Sequence, residues 1–260
     1  MMPPMPLQPK RLSNRQFDKY CALVYRECGI KLNEEKRALL NARLAKRLRQ
    51  LDLCANAYYD RVLEDPQEMS RFIDAVSTNH TYFYRESKSF DFLRPEDTDI
   101  WSAACSSGEE PYSLATHCLR MGGTPAILAT DISDSCLEKA RVGVYPASAV
   151  RELPQELLRA YFQKGRNQWA GMVRVKPEVR RLVAYQKFNL HSGPLPERVF
   201  DVIFCRNVMI YFDGPTKERV VSRLAGVLRS GGYFIIGGAE SLNGLRHPFT
   251  YIEPSVYRKS

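Results

Sequence analysis

Residues 100–113 read IWSAACSSGEEPYS. Ile100 and Trp101 make an apolar, β-favouring start. Small residues then lead through Ser106, Ser107 and Gly108 into Glu109, Glu110 and Pro111. Proline suits the first turn of a helix, where its missing N–H is one the helix does not use. The stretch predicts a strand, a tight small-residue turn and a helix start, the opening crossover of a nucleotide-type α/β domain. In such a crossover the ligand approaches the backbone and the unpaired N–H groups of the helix start. The two acids speak to the ligand's charge: they repel a phosphate at the turn and attract a cationic or amine-bearing group. An ordinary strand-to-helix turn is the alternative, since the spacing is not GxGxxG and Ala104 and Ser106 stand where glycines are expected.

Toward the C-terminus, AILATDIS (126–133) predicts a second strand ending in Asp131. An acid in this position, roughly 20 residues beyond the turn, accepts hydrogen bonds from both ribose hydroxyls. A nucleoside that also carries positive charge points to S-adenosylmethionine, with its sulfonium and α-amino group. Phe188-Asn189-Leu190 is placed to end a third strand with Asn189 toward an adenine edge. FDVIFCRNVMIYF (200–212) is the clearest buried strand, continuous through Val202, Ile203 and Phe204. It runs out into Arg206 and Asn207, at the strand end where open α/β sheets place ligands. A helix is expected from about Thr216 to Arg229, closed by Gly231-Gly232. YFIIGGAES supplies another strand, and FTYIEPSVYRK one or two antiparallel edge strands. Between Asp131 and Phe188 the alternation lapses. Pro154 precedes a short helical run, and a basic β insertion is expected at about 165–187.

Toward the N-terminus, TNHTYFYRE (78–86) is dense in hydroxyls and aromatics and ends in the charged pair Arg85 and Glu86. It reads as a segment that covers or lines a site, or whose aromatics pack one domain on the other. Residues 12–77 are helical in character. Ser13 and Gln16 form a capping box, Gly29 is a C-cap, Asn33 is an expected N-cap, and Pro66 marks a break. From Lys36 to Leu51 there are six basic residues and no acid, with Leu40, Leu44, Leu48 and Leu51 on one face. A solvated helix face is the plain explanation. With no local counter-charge in the sequence, docking on an acidic partner is the functional one.

Size and composition set the outer bounds. The 260 residues suffice for one large α/β domain with a smaller one attached, and 44% apolar with 26% charged residues is ordinary for a soluble protein. No apolar run reaches membrane-span length, and the opening MMPPMPLQPKR is too rich in proline for a signal peptide, so a cytoplasmic protein is expected. Seven scattered cysteines with no CxxC pair read as reduced thiols, and the four histidines show no ligand spacing, so no metal is expected. The net charge of +9 favours an acidic partner: nucleic acid, an anionic membrane surface or an acidic protein.

Taken in order, TNHTYFYRE, IWSAACSSGEEPYS, ATDIS, FNL and FDVIFCRNVMIYFD resemble the CheR family, the methyltransferases that esterify glutamate side chains of bacterial chemotaxis receptors. The resemblance covers nearly the whole chain. It implies a Rossmann-like class I S-adenosylmethionine-dependent methyltransferase domain, with a small all-helical N-terminal domain and a small β insertion. The expected order is a flexible leader at 1–11, a receptor-docking helical domain at 12–77, a linker contributing to the cofactor site at 78–98, and the methyltransferase domain at 99–260. It further implies that Asn79, Thr81 and Arg85 hold the amino-acid end of the cofactor and that Glu110 meets its α-amino group. Asp131 takes the ribose, while Asn189, Leu190, Arg206 and Asn207 surround the adenine and line the cleft. Arg85 and Tyr211 stand by the transferred methyl. The basic helix, with Arg43, Lys46 and Arg47, docks on the cytoplasmic domain of a methyl-accepting receptor, with no role for nucleic acid and no membrane insertion. In some members the β insertion grips a receptor's C-terminal peptide, but KGRNQWAG (164–171) lacks the Gly-x-Gly associated with that role. Two rivals remain at this point: a nucleic-acid methyltransferase, and a cofactor-binding scaffold without catalysis.

Overall fold

The computed structural model describes residues 11–260, so the leader expected at 1–11 lies, but for Arg11, outside the described residues. The chain divides into two compact units, Met1–Thr78 and Asn79–Ser260.

The first unit, where described, is helical: α1 (Asn14–Cys28), α2 (Arg37–Leu51), α3 (Ala55–Glu64) and α4 (Pro66–Val76). The Ser13–Gln16 capping box forms in both directions, and Gly29 closes α1 with φ 72°. Asn33 makes no side-chain cap bond. A single 3-10 turn, Glu34–Lys36, intervenes, and α2 begins at Arg37. At the Pro66 break, the Asp65 carboxylate accepts from the N–H groups of Gln67 and Glu68, which fixes the start of α4. Tyr20, Tyr58 and Phe72 form the buried aromatic centre of this unit.

The basic face of α2 is a correction to the sequence reading, which found nothing local to neutralise it. Arg47 makes two bonds to the buried carboxylate of Glu68, on α4, its Nε lying 2.6 Å from Oε1. Arg43 Nη1 donates to the carbonyls of Val76 and Ser77 at 2.7 Å each. The counter-charge stands 21 positions along the chain from Arg47, so the helix's own composition could not reveal it. Lys46 and Arg49 remain exposed.

The second unit comprises β1 (Asp99–Ala103), α5 (Glu109–Arg120), β2 (Ala126–Asp131), α6 (Asp134–Val142), β3 (Val144–Pro146), α7 (Gln155–Tyr161) and β4 (Phe162–Lys164). It continues with β5 (Met172–Val175), α8 (Pro177–Arg180), β6 (Val183–Lys187), β7 (Phe200–Cys205), α9 (Gly214–Gly226), β8 (Leu228–Ile236), β9 (Phe249–Glu253) and β10 (Val256–Lys259). Seven strands form one sheet in the order β6-β2-β1-β7-β8-β10-β9. The first five are parallel, and β10 and β9 add antiparallel pairings at one edge. The chain leaves β1 toward β2 and β6 on one side, then returns to lay β7 and β8 on the other. The switch point therefore falls between β1 and β7, and the ligand crevice of such a sheet opens there at the carboxyl ends of the strands. This is the Rossmann-like methyltransferase arrangement expected from the sequence.

The central strands are buried on both faces, as their unbroken apolar runs require. Trp101 lies fully buried in β1 between Phe188 and Phe200, and its indole N–H is satisfied by Thr130 Oγ1 at 2.9 Å.

Three expectations shift. The small sheet is β3-β5-β4, built from 144–146, 162–164 and 172–175, so of its strands β5 alone falls within the expected 165–187. Residues 183–187 instead form β6, the parallel edge of the main sheet, paired with β2 in register from Ile127 with Val183 to Asp131 with Lys187. A parallel edge strand and an antiparallel lid strand carry the same local alternation, so only the pairing tells them apart. Finally, α9 starts at Gly214, capped by Asp213, and Gly231-Gly232 lie inside β8 rather than closing a helix.

Candidate active site

The turn after β1 is wound tightly. Ala104, Ser106 and Gly108 all have positive φ, at 75°, 50° and 95°. The N–H groups of Ala104 and Cys105 both donate to the Thr130 carbonyl at 2.8 Å, which lashes the turn to β2. Gly108 must be glycine: a Cβ there would sit 2.7 Å from Ala140 Cβ and 3.0 Å from Tyr145 Oη. Tyr145 in turn donates to the Ser107 carbonyl at 2.7 Å.

Asp131, at the end of β2, is 6% exposed. Its Oδ2 accepts from Ser106 N–H at 2.8 Å and its Oδ1 from Ser133 N–H at 2.9 Å. The carboxylate thus joins the two loops that flank the switch point.

The acid pair divides its work. Burial pushes the Glu109 carboxyl above the usual range, against a bond from Ser107 Oγ. Glu110 turns the other way: Oε1 accepts from Ser102 Oγ at 2.7 Å and Oε2 from Arg206 Nη1 at 2.9 Å.

Arg206 follows β7 directly and its side chain is only 2% exposed. Besides Glu110, it donates through Nη2 to the Arg85 carbonyl at 2.7 Å and to Glu86 Oε2 at 3.0 Å. Two carboxylates and a carbonyl around one guanidinium form a charge-assisted hub. Glu86 also accepts from Gly238 N–H at 2.9 Å, beyond the end of β8. Burial raises the Glu86 carboxyl, but the Gly238 N–H and Arg206 outweigh it and hold it below the usual range. The 79–86 segment is hooked in this way onto the ends of β7 and β8. Tyr84 and Glu86 on either side of Arg85 have left-handed φ of 56° and 49°. The Arg85 guanidinium donates to the His80 carbonyl at 2.8 Å and lies 3.7 Å from Glu86 Oε1.

Residues 79–258 match the family described as CheR methyltransferase, SAM binding domain, and residues 15–77 the CheR methyltransferase, all-alpha domain. The chain belongs to the CheR methyltransferase family. Among its relatives, the chemotaxis protein methyltransferase of Salmonella typhimurium is 38% identical over 266 residues, which cover 96% of this chain and 91% of that protein. That of Escherichia coli is 37% identical over 266 residues, 96% and 92% of the two chains. That of Borreliella burgdorferi is 35% identical over 274 residues, 96% and 95%. The enzyme is an S-adenosylmethionine-dependent methyltransferase of chemotaxis adaptation.

The residues of this CheR enzyme fit that cofactor. Four carboxylates, Glu86, Glu110, Asp131 and Glu240, belong to the bonded groups at the strand ends, against two guanidiniums, Arg85 and Arg206. That excess of negative charge suits a ligand carrying a sulfonium and an ammonium. The structure brings Arg85, Glu110, Arg206 and Asn207 into one connected group. Asp131 shares the β1 turn with them. Asn189 and Leu190 follow β6, where Phe188 N–H donates to the Asp131 carbonyl and Asn189 Oδ1 accepts from His191 N–H. Tyr211 ends a short 3-10 turn, Met209–Tyr211, just past Asn207. Asn79 is exposed and Thr81 half-buried at the start of the hooked segment. The Arg206 side chain, expected around the adenine, bonds Glu86 and Glu110.

Sequence reasoning missed Glu240. Its Oε2 accepts from Asn207 N–H at 2.9 Å and Gly237 N–H at 2.7 Å, and its Oε1 from Ile210 N–H at 3.2 Å. The signal was an acid two residues past the Gly-Gly of YFIIGGAES, at the carboxyl end of a parallel strand. Ser102 was missed as well, because a buried serine in a strand announces no partner.

Among the described residues, no helix is long and apolar enough to cross a membrane, and no group of His, Cys, Asp and Glu is arranged to hold a metal ion.

Proposed function

We propose that the enzyme esterifies glutamate side chains in the cytoplasmic domains of chemoreceptors, releasing S-adenosylhomocysteine. The observation that carries this reading is the Glu86–Arg206–Glu110 hub, which ties the Arg85 segment to the switch point of a CheR-family sheet. S-adenosylmethionine, when bound, supplies an electrophilic methyl group on a sulfonium.

The chain's own part is positioning. A glutamate acceptor is already ionised at neutral pH and needs no general base. Alignment of two reactants can be worth roughly 7–11 kcal/mol. Glu110, through its remaining lone pairs, receives the α-amino group, and Asp131 receives the ribose hydroxyls. Asn189 and Leu190 border the adenine. Asn79 and Thr81 hold the amino-acid end, and Tyr211 packs near the methyl. Arg85 orients the acceptor carboxylate. Its partial engagement with Glu86 and the His80 carbonyl moderates that grip, and a full ion pair would stabilise the ground state and slow transfer. Lys46 and Arg49 on α2, together with what Arg43 and Arg47 leave exposed, offer positive charge to an acidic receptor.

Incubation with methyl-labelled cofactor and purified receptor cytoplasmic domains tests the reading. Base-labile label on glutamates, located by peptide mapping, is the expected result. Base-stable label, or label entering nucleic acid in place of protein, overturns it.

A further inference from the structure

We propose that Glu240 is a positioning residue of the methyl-transfer site, acting through the loop that carries Asn207 and Tyr211. The inference rests on the reading that this loop lines the cofactor site.

Three backbone amides converge on one carboxylate: Asn207 and Gly237 on Oε2, Ile210 on Oε1. They belong to two separate stretches, the loop after β7 and the end of β8. Asn207 has φ 57°, a left-handed conformation open to asparagine at some cost, and one that its surroundings can hold in place. Here they do. Glu240 takes its N–H, while Glu86 takes its side-chain amide at 3.4 Å. The neighbouring glycines repeat the pattern, with Gly237 N–H on Glu240 and Gly238 N–H on Glu86. Asn207 and the Gly237-Gly238 pair are therefore clasped between two carboxylates that come from opposite ends of the unit's sequence.

The fit is close enough to specify the neighbours. A Cβ on Gly237 would lie 2.5 Å from Asn207 Nδ2 and 2.9 Å from Glu240 Oε2. The end of β8 is pressed against the turn, and the carboxylate fills the remaining gap. The Ile210 amide, one residue before Tyr211, donates to Glu240 Oε1. Glu240 thus sets the path from the buried Cys205 to Tyr211 without itself being one of the residues assigned to cofactor or acceptor.

The test compares wild type with Glu240→Gln, which keeps one acceptor oxygen and presents an NH₂ to at least one of the three amides. Three quantities are read: amide hydrogen exchange at Asn207, Ile210 and Gly237, calorimetric affinity for S-adenosylhomocysteine, and kcat and KM for a receptor domain. Expected are exchange faster by about tenfold or more at those amides and weaker S-adenosylhomocysteine binding. With them comes a kcat lower by on the order of a hundredfold, with receptor KM little changed, as misplacement of an otherwise intact site predicts. Wild-type kcat and S-adenosylhomocysteine affinity in the variant overturn the proposal, and so does unchanged exchange at the three amides. Should Glu240→Gln fail to fold, Glu240→Asp is read in the same three ways, keeping the charge and losing reach. If wild type methylates no receptor domain, the proposed acceptor fails. The exchange and S-adenosylhomocysteine readouts still decide on Glu240, since neither needs an acceptor.

Discussion

Asp131, proposed to take the ribose, already serves the fold with both of its oxygens. It satisfies the N–H groups of Ser106 and Ser133, both buried, before any ribose arrives. Asp131→Ala therefore does more than remove a ligand contact, since a buried amide left unpaired costs about 1–3 kcal/mol. The variant is expected to lower both the melting temperature and the affinity for S-adenosylhomocysteine, the latter by about tenfold or more given charge-assisted bonds of about 1.5–3 kcal/mol. Unchanged calorimetric affinity would remove Asp131 from the ribose site. Arg85 behaves differently, because Arg206 bonds the carbonyl of Arg85 and not its side chain. Arg85→Ala leaves that link in place, so kcat is expected to fall by roughly a hundredfold while S-adenosylhomocysteine affinity changes little. Equal methylation rates in the two proteins would take Arg85 out of the mechanism.

Among the elements, the turn before α5 and the α2–α4 pair carry the sharpest consequences. Gly108→Ala introduces a Cβ into contacts of 2.7–3.0 Å at a φ of 95°. The turn must open, and a loss of about 1–3 kcal/mol in stability is expected from overpacking, together with loss of S-adenosylhomocysteine binding. Chemical denaturation and calorimetry check both. In the helical unit, the hydrogen bonds from Arg47 hold the Glu68 carboxyl well down, at about 2, against an ordinary 4.5. The unfolded chain thus takes up a proton on this group at a higher pH than the folded one. The stabilisation, about 3 kcal/mol for a shift of this size, is complete above about pH 4.5 and drains away as the pH falls from there toward 2. Amide exchange in α2 and α4 measured across that interval should show protection declining with acid. Arg47→Ala leaves the buried carboxylate to Tyr58 Oη and the Arg71 guanidinium and is expected to cost about 3–5 kcal/mol, and the acid-dependent step should shrink because the largest contribution to the shift is gone.

For the whole molecule, charge is the quantity that matters for finding a partner. A net +9 favours approach to an acidic receptor domain and is screened by salt. Because Arg43 and Arg47 are bonded within the helical unit, neutralising them confounds docking with folding. Lys46 and Arg49 are the informative pair. At about 0.2–1 kcal/mol for each exposed charge, Lys46→Ala with Arg49→Ala is expected to raise the receptor KM by roughly two- to thirtyfold. S-adenosylhomocysteine affinity should stay as it was. Steady-state kinetics at low and high ionic strength check this, and a receptor KM indifferent to both salt and substitution returns α2 to an ordinary solvated helix.

The sequence alone determined whatever is written in consecutive residues: the strand–turn–helix at 100–113, the Asp131 strand end, the buried run at 200–205, the caps of α1 and the break at Pro66. Local sterics and hydrophobic periodicity act over a few residues, so those features survive being read in one dimension. The ordered motifs also sufficed for the family, because their combination is far rarer than any one of them. Tertiary structure decided everything that depends on partners remote in the chain. It paired Arg47 with Glu68, moved 183–187 from an insertion to the edge of the main sheet, and turned Arg206 inward onto Glu86 and Glu110. It also placed Glu240 beneath Asn207. A charge or a strand carries no label for the partner it will meet across 20 to 120 residues. That choice is made by which pairings bury apolar surface while leaving no polar group unsatisfied, and only the folded chain evaluates them together.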